Sequence, residues 1–67
     1  MISVLNYITD VRINHAKFLL EETEHSVQVI SEKTGFLSSS TFVKTFKKKE
    51  GVAPGAYRNM FYDQKGD

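Results

Sequence analysis

The sequence predicts an all-α fold: a small helical domain in which a long N-terminal helix is followed by a helix-turn-helix and a short C-terminal helix. Three observations carry this. Apolar residues recur at three- and four-residue spacing instead of alternating, which is the helical period. Ser26 and Ser38 stand where two short helices need their first N–H groups accepted, and Gly35 and Gly51 stand where those helices need a left-handed residue to stop. Pro54 marks the start of a last helix, because a first-turn position needs no N–H donor.

The domain is expected over residues 1–62, with residues 2–20 forming the long helix. Its apolar stripe reads as Leu5, Ile8, Val11 or Arg12, Ala16, Leu19 and Leu20, with Ser3 as N-cap. Arg12 and Lys17 lie on or beside the stripe, where long stems pack while charged heads reach water, and both read as surface residues. The polar segment Glu21 to His25 ends the helix. Glu21 and Glu22 at the helix C-terminus oppose the macrodipole, so this end is expected to fray.

The helix-turn-helix spans residues 26–50. In its first helix Val27, Ile30 and Thr34 share an inward side, and Ser31 is small enough for the second helix to approach closely. Gly35 supplies the turn. A glycine-containing turn of about three residues between two short helices makes them cross, so the second projects one face outward. That second helix, residues 39–49, has two unlike sides. At 100° per residue Phe42 and Phe46 lie about 40° apart, flanked by Ser39, while Ser40, Lys44, Lys47 and Lys48 gather opposite. One side requires a core and the other suits an anion. The closing helix, residues 54–62, carries Tyr57, Met60 and Phe61 inward; Ala53 before it is a poor cap, weaker than serine by about 1 kcal/mol. Residues 63–67 hold no apolar side chain and are expected to form a disordered tail.

Composition narrows the function. Sixty-seven residues allow one small domain, which buries only about 60% of its unfolded surface, so function must lie outside a core too small for a deep catalytic cleft. There is no cysteine, hence no disulfide, thiolate nucleophile or Cys-based zinc site. His15 and His25 lack ligands at metal spacing, and the serines Ser38, Ser39 and Ser40 lack an activating base, so no catalytic, metal or cofactor site is expected and the chain is not read as an enzyme. No apolar run directs the chain to a membrane. The net charge of +1 conceals segregation: four of the nine basic residues fall between Lys44 and Lys49. On the outer face of the second helix of a helix-turn-helix, that cluster points to phosphate.

One set of residues adds to this reading. Ala16-Lys17-Phe18-Leu19-Leu20, Ser26-Val27, Ile30, Gly35-Phe36, Ser40, Phe42, Phe46-Lys47-Lys48, Gly51, Pro54 and Tyr57-Arg58 resemble the C-terminal part of the DNA-binding domain of AraC/XylS-type transcription regulators, without gaps from Tyr7 to Arg58. The resemblance implies two helix-turn-helix units joined by a linker helix, of which residues 2–20 resemble the linker and residues from Ser26 onward the second unit. The first unit is absent from this sequence, which thus reads as a fragment or truncated reading frame. It further implies bacterial, cytoplasmic double-stranded DNA binding, an effector domain in the full-length parent, and RNA polymerase as a possible partner.

The family's base-reading positions fall on Ser39, Ser40 and Lys44, with Val43 available to a thymine methyl; Thr41, Thr45, Lys47, Lys48 and Arg58 are the expected phosphate contacts. Departures from the family pattern are Ser31 for alanine, Val29 for a capping glutamate, Thr41 for tyrosine, Lys44 for arginine and Ala53 for threonine. Lys44 weakens selectivity most, since an ammonium lacks the rigid two-pronged contact of a guanidinium. The alternative reading is a protein-interaction module that docks a polymerase or partner domain through its lysine face or its Tyr57, Phe61 and Tyr62 end.

Overall fold

A computed structural model describes residues 4–65. Four helices follow in order: α1 Val4–Glu22, α2 Val27–Lys33, α3 Ser39–Glu50 and α4 Pro54–Lys65. The expected all-α order is observed, with boundaries moved by a few residues. The cap expected at Ser3 lies outside the described residues, as does the side chain of Leu5.

The core is built from the inner sides of three helices. Ile13, Ala16, Leu19 and Leu20 of α1 meet Ile30 of α2 and Phe42 and Phe46 of α3, with Val27, Phe36, Val43 and Tyr57 packed around them. Its aromatic spine runs from Phe36 to Phe42 (5.2 Å between centroids), Phe46 (5.8 Å) and Tyr57 (5.5 Å), in tilted and edge-on geometries that suit the ring quadrupole. Phe42 and Phe46 are fully buried. Each contributes about 2–3 kcal/mol of apolar burial, a large share of the stability of so small a domain.

The α1 stripe differs from expectation. Ile13, not anticipated, is buried, whereas Ile8 and Val11 are 39% and 50% exposed. The buried line Ile13, Ala16 and Leu20 follows i, i+3, i+7. Val11 lies opposite it on the helical wheel, and Ile8 lies about 110° to its side.

Nor does the C-terminal end of α1 stand unsupported. Thr23 Oγ1 donates to the Leu19 carbonyl at 2.6 Å, and the Arg58 guanidinium donates from Nε to the Leu20 carbonyl and from Nη2 to the Thr23 carbonyl, both at 3.0 Å. A cation at the negative end of a helix, satisfying its last carbonyls, offsets the two glutamates. Glu21 itself accepts a hydrogen bond from the Tyr57 hydroxyl. The fraying expected from charge alone is corrected by these partners from α4.

At α4 the inward face is Pro54, Tyr57, Arg58 and Phe61, while Met60, expected inside, is 49% exposed. The helix also continues to Lys65. Residues Asp63 to Lys65, read as tail because they are polar, contain no glycine or proline to stop a helix; Gly66 and Asp67 lie outside the described residues.

Candidate nucleic-acid interface

The helix pair is punctuated as its residues require. Ser26, in extended backbone, accepts from Val29 N–H at 3.2 Å to start α2, and Ser31 is buried with its hydroxyl donating to the Gln28 carbonyl at 2.7 Å. That local bond satisfies the hydroxyl that an alanine at this contact would lack. Thr34 Oγ1 does likewise toward the Ile30 carbonyl at 2.8 Å. Gly35 then takes φ of +89°, reached readily only without a Cβ. Ser38 starts α3 by accepting from Thr41 N–H at 3.2 Å, and Gly51, φ +84°, ends it by donating to the Lys47 carbonyl at 2.8 Å.

With its ends fixed and Phe42 and Phe46 inward, α3 turns its other side to water. Ser40, Lys44, Lys47 and Lys48 are exposed. Ser39 and Val43 are half-buried and, with Ser40 and Lys44, line one shallow open depression. The four expected base-reading residues are therefore contiguous. Thr41 is exposed, and its hydroxyl accepts from Ser38 Oγ at 3.0 Å, so its own proton is left for another acceptor; Thr45 is half-buried on the flank.

Electrostatics sorts the basic residues. Among the described residues the side-chain ion pairs are Lys17–Glu50 at 3.2 Å and Lys49–Asp10 at 2.8 Å. Lys44, Lys47 and Lys48 take part in neither, so three ammonium groups on one outer face remain unneutralised. Lys49, counted in the cluster by sequence, is drawn back to α1. Arg58, expected at phosphate, donates from Nε and Nη2 to the α1 carbonyls, a geometry that satisfies those backbone acceptors. Lys17, read as surface, lies 5.9 Å from the Tyr57 ring centroid as well as beside Glu50.

Sequence reasoning missed Leu37. This apolar side chain is fully exposed at the entrance to α3, one residue before the Ser38 cap. The available signal was its place inside the turn, where an apolar residue that neither helix can cover stands out.

The helix-turn-helix domain family matches residues 1–60, nearly the whole chain. The chain belongs to the AraC-type helix-turn-helix family. It is 42% identical over 60 residues to an uncharacterized HTH-type transcriptional regulator, YobQ, of Bacillus subtilis, covering 90% of this chain and 25% of that protein. It is 42% identical over 59 residues to the melibiose operon regulatory protein of Escherichia coli, covering 88% and 20%. The chain thus spans a fifth to a quarter of the length of these relatives. Among solved structures it is similar to the DNA-binding domain of AdpA, a global transcriptional factor crystallised with a target DNA, with TM-score 0.93, 26% identity and coverage of 96% of this chain and 58% of that one. It is also similar to the C-terminal domain of a yesN response regulator from Fusobacterium nucleatum, with TM-score 0.84 and 35% identity, covering 85% and 55%.

Among the described residues no group of His, Asp or Glu could hold a metal, and no helix is long and apolar enough to cross a membrane. His15 and His25 are exposed. The family is a class of DNA-binding regulators, not of enzymes.

Proposed function

We propose that this chain reads duplex DNA in a sequence-specific way as part of a transcription regulator, with α3 in the major groove, N-terminus first. The observation that carries this is the two-sidedness of α3: Phe42 and Phe46 are fully buried, and behind them Lys44, Lys47 and Lys48 are exposed without an acidic partner among the described residues. Family membership supports the same reading, and so does the AdpA likeness, a domain solved with its target DNA.

Ser39, Ser40 and Lys44 face base edges, and Val43 offers a methyl-sized apolar contact to thymine. Lys47 and Lys48 hold phosphates, with Thr41 and Thr45 beside them, which sets register without reading sequence. With about two to four phosphates engaged, log K falls against log salt with a slope of about −2 to −4. Serine hydroxyls discriminate weakly among bases, so the remaining selectivity of the parent regulator comes from further DNA-binding and effector regions acting through effective concentration.

Fluorescence anisotropy of a labelled duplex tests this: Lys44→Ala and Lys47→Ala both weaken binding at low salt. Unchanged affinity in both variants removes α3 from the groove. The alternative, a docking module for polymerase or a partner domain, draws less support, because the Tyr57 ring packs on Phe46 and its hydroxyl on Glu21. Saturable, salt-independent capture of polymerase with no duplex binding would favour it.

A further inference from the structure

Arg12 projects from α1 toward the turn that launches α3. Arg12 is exposed, and its guanidinium lies beside Gly35: a Cβ built on that glycine would meet Arg12 Nε at 3.3 Å, Cζ at 3.6 Å and Nη2 at 3.7 Å. The same group stands 5.9 Å from the Phe36 ring centroid, and Phe36 in turn packs 5.2 Å from Phe42 on the back of α3. Neither ion pair among the described residues uses Arg12. A planar cation is held, without a carboxylate, over a left-handed glycine and an aromatic face.

We propose that Arg12 is a positioning residue for base reading: its guanidinium clamps the Gly35–Phe36 turn onto α1 and so fixes the angle at which α3 presents Ser39, Ser40 and Lys44. The glycine is needed for its positive φ, and a methyl group there would press the guanidinium back by a few tenths of an ångström. Phe36 is half-buried and touches the core from its rim, so it needs a second contact to hold one orientation. Farther along α3, Asp10–Lys49 and Lys17–Glu50 tie its last turn to α1. Arg12 supplies the matching tie at the first turn, acting through Phe36 and Phe42, and α3 is held to α1 near both ends.

A flat guanidinium stacks on a ring and covers a glycine; an ammonium on a flexible stem does neither equally well. Base contacts carry the sequence information and depend on the angle of the helix, whereas the charge attraction between lysines and phosphates is independent of sequence. Losing the clamp therefore lowers selectivity more than total attraction.

The inference rests on the DNA-reading proposal, and its test separates the two. Duplexes selected by the unaltered protein from a randomised pool, and scrambled versions of them, are titrated with Arg12→Met, Arg12→Lys and Lys47→Ala. Arg12→Met is expected to weaken binding to the selected duplex about 2- to 5-fold while leaving the scrambled duplex and the salt slope unchanged, and Arg12→Lys does not restore it. Lys47→Ala weakens both duplexes and makes the slope shallower by about 1. Full rescue by lysine, a slope change of that size in Arg12→Met, or equal loss on both duplexes overturns the positioning role. If the unaltered protein binds no duplex, the DNA reading itself fails. The clamp is then judged on the free protein by amide chemical shifts of residues 39–44, which move in Arg12→Met but not in Lys47→Ala if it exists, and stay in place if it does not.

Discussion

The outer side of α3 and the seam between α1 and α4 are both rich in charge, yet they use it oppositely. On α3, Lys44, Lys47 and Lys48 face water and no ion pair among the described residues engages them. At the seam, Arg58 donates to two backbone carbonyls, Tyr57 donates to Glu21, and Lys17 stands over the Tyr57 ring. The difference teaches that a basic residue is assigned by what lies opposite it in space, not by membership of a basic cluster. Charges already satisfied by their own chain hold the fold; charges left unsatisfied are available to another molecule.

This contrast can be broken or sharpened by substitution. The largest effect belongs to the support both regions share: Phe42→Ala is expected to cost about 3–5 kcal/mol, enough to unfold most of a domain this small, seen as loss of the helical circular dichroism signal at 25 °C. Next, Arg58→Met removes a charged donor from the α1 carbonyls. We expect about 1.5–3 kcal/mol lower stability in a urea titration, with no change in the salt slope of duplex binding; a shallower slope would show that Arg58 contacts phosphate as well.

Gly51→Ala meets no atom within 4 Å, so its cost is left-handed strain alone, about 1–2 kcal/mol. A thermal melt measures it, and a neutral result would contradict the cap geometry. Lys47→Ala should leave the melt within about 0.5 kcal/mol of the unaltered protein while weakening duplex binding, the inverse of Arg58→Met. The subtlest effect is titration at the seam. Burial first, then the hydrogen bond to Glu21 and the charges of Glu21 and Glu50, push the Tyr57 phenol up to about 12 from its ordinary 10.0. The folded state thus prefers the protonated phenol, so this stabilisation is whole below pH 10 and is lost as pH rises toward about 12. Melting temperature should fall over that interval, and Tyr57→Phe should flatten the fall.

Much of the helical order was legible because local chemistry encodes it. Ser26, Gly35, Ser38 and Gly51 mark helix ends by what their own side chains, or lack of one, do to adjacent backbone. The inward placement of Phe42 and Phe46 followed from one helical period. What escaped depends on residues distant in sequence. Arg58 and Leu20 are 38 positions apart, and Tyr57 and Glu21 are 36 apart, so nothing near either residue announces the contact. In α1, Ile13 and not Val11 shares a face with Ala16 and Leu20, a period that was present in the sequence and was set by the wrong residues. Of the expected contact set, Ser40, Lys44, Lys47 and Lys48 lie where a period of 3.6 puts them, and the bonds of Arg58 to α1 could not be read from its own helix.

Because the anchoring rings and the outward side chains of α3 alternate around a single helix, they can be changed independently. On the proposed reading, exchanging the exposed Ser40 and Lys44 would alter which sequence is recognised while the packed rings behind them stay in place. One scaffold can thereby serve many addresses, and redirecting it requires edits at a handful of codons.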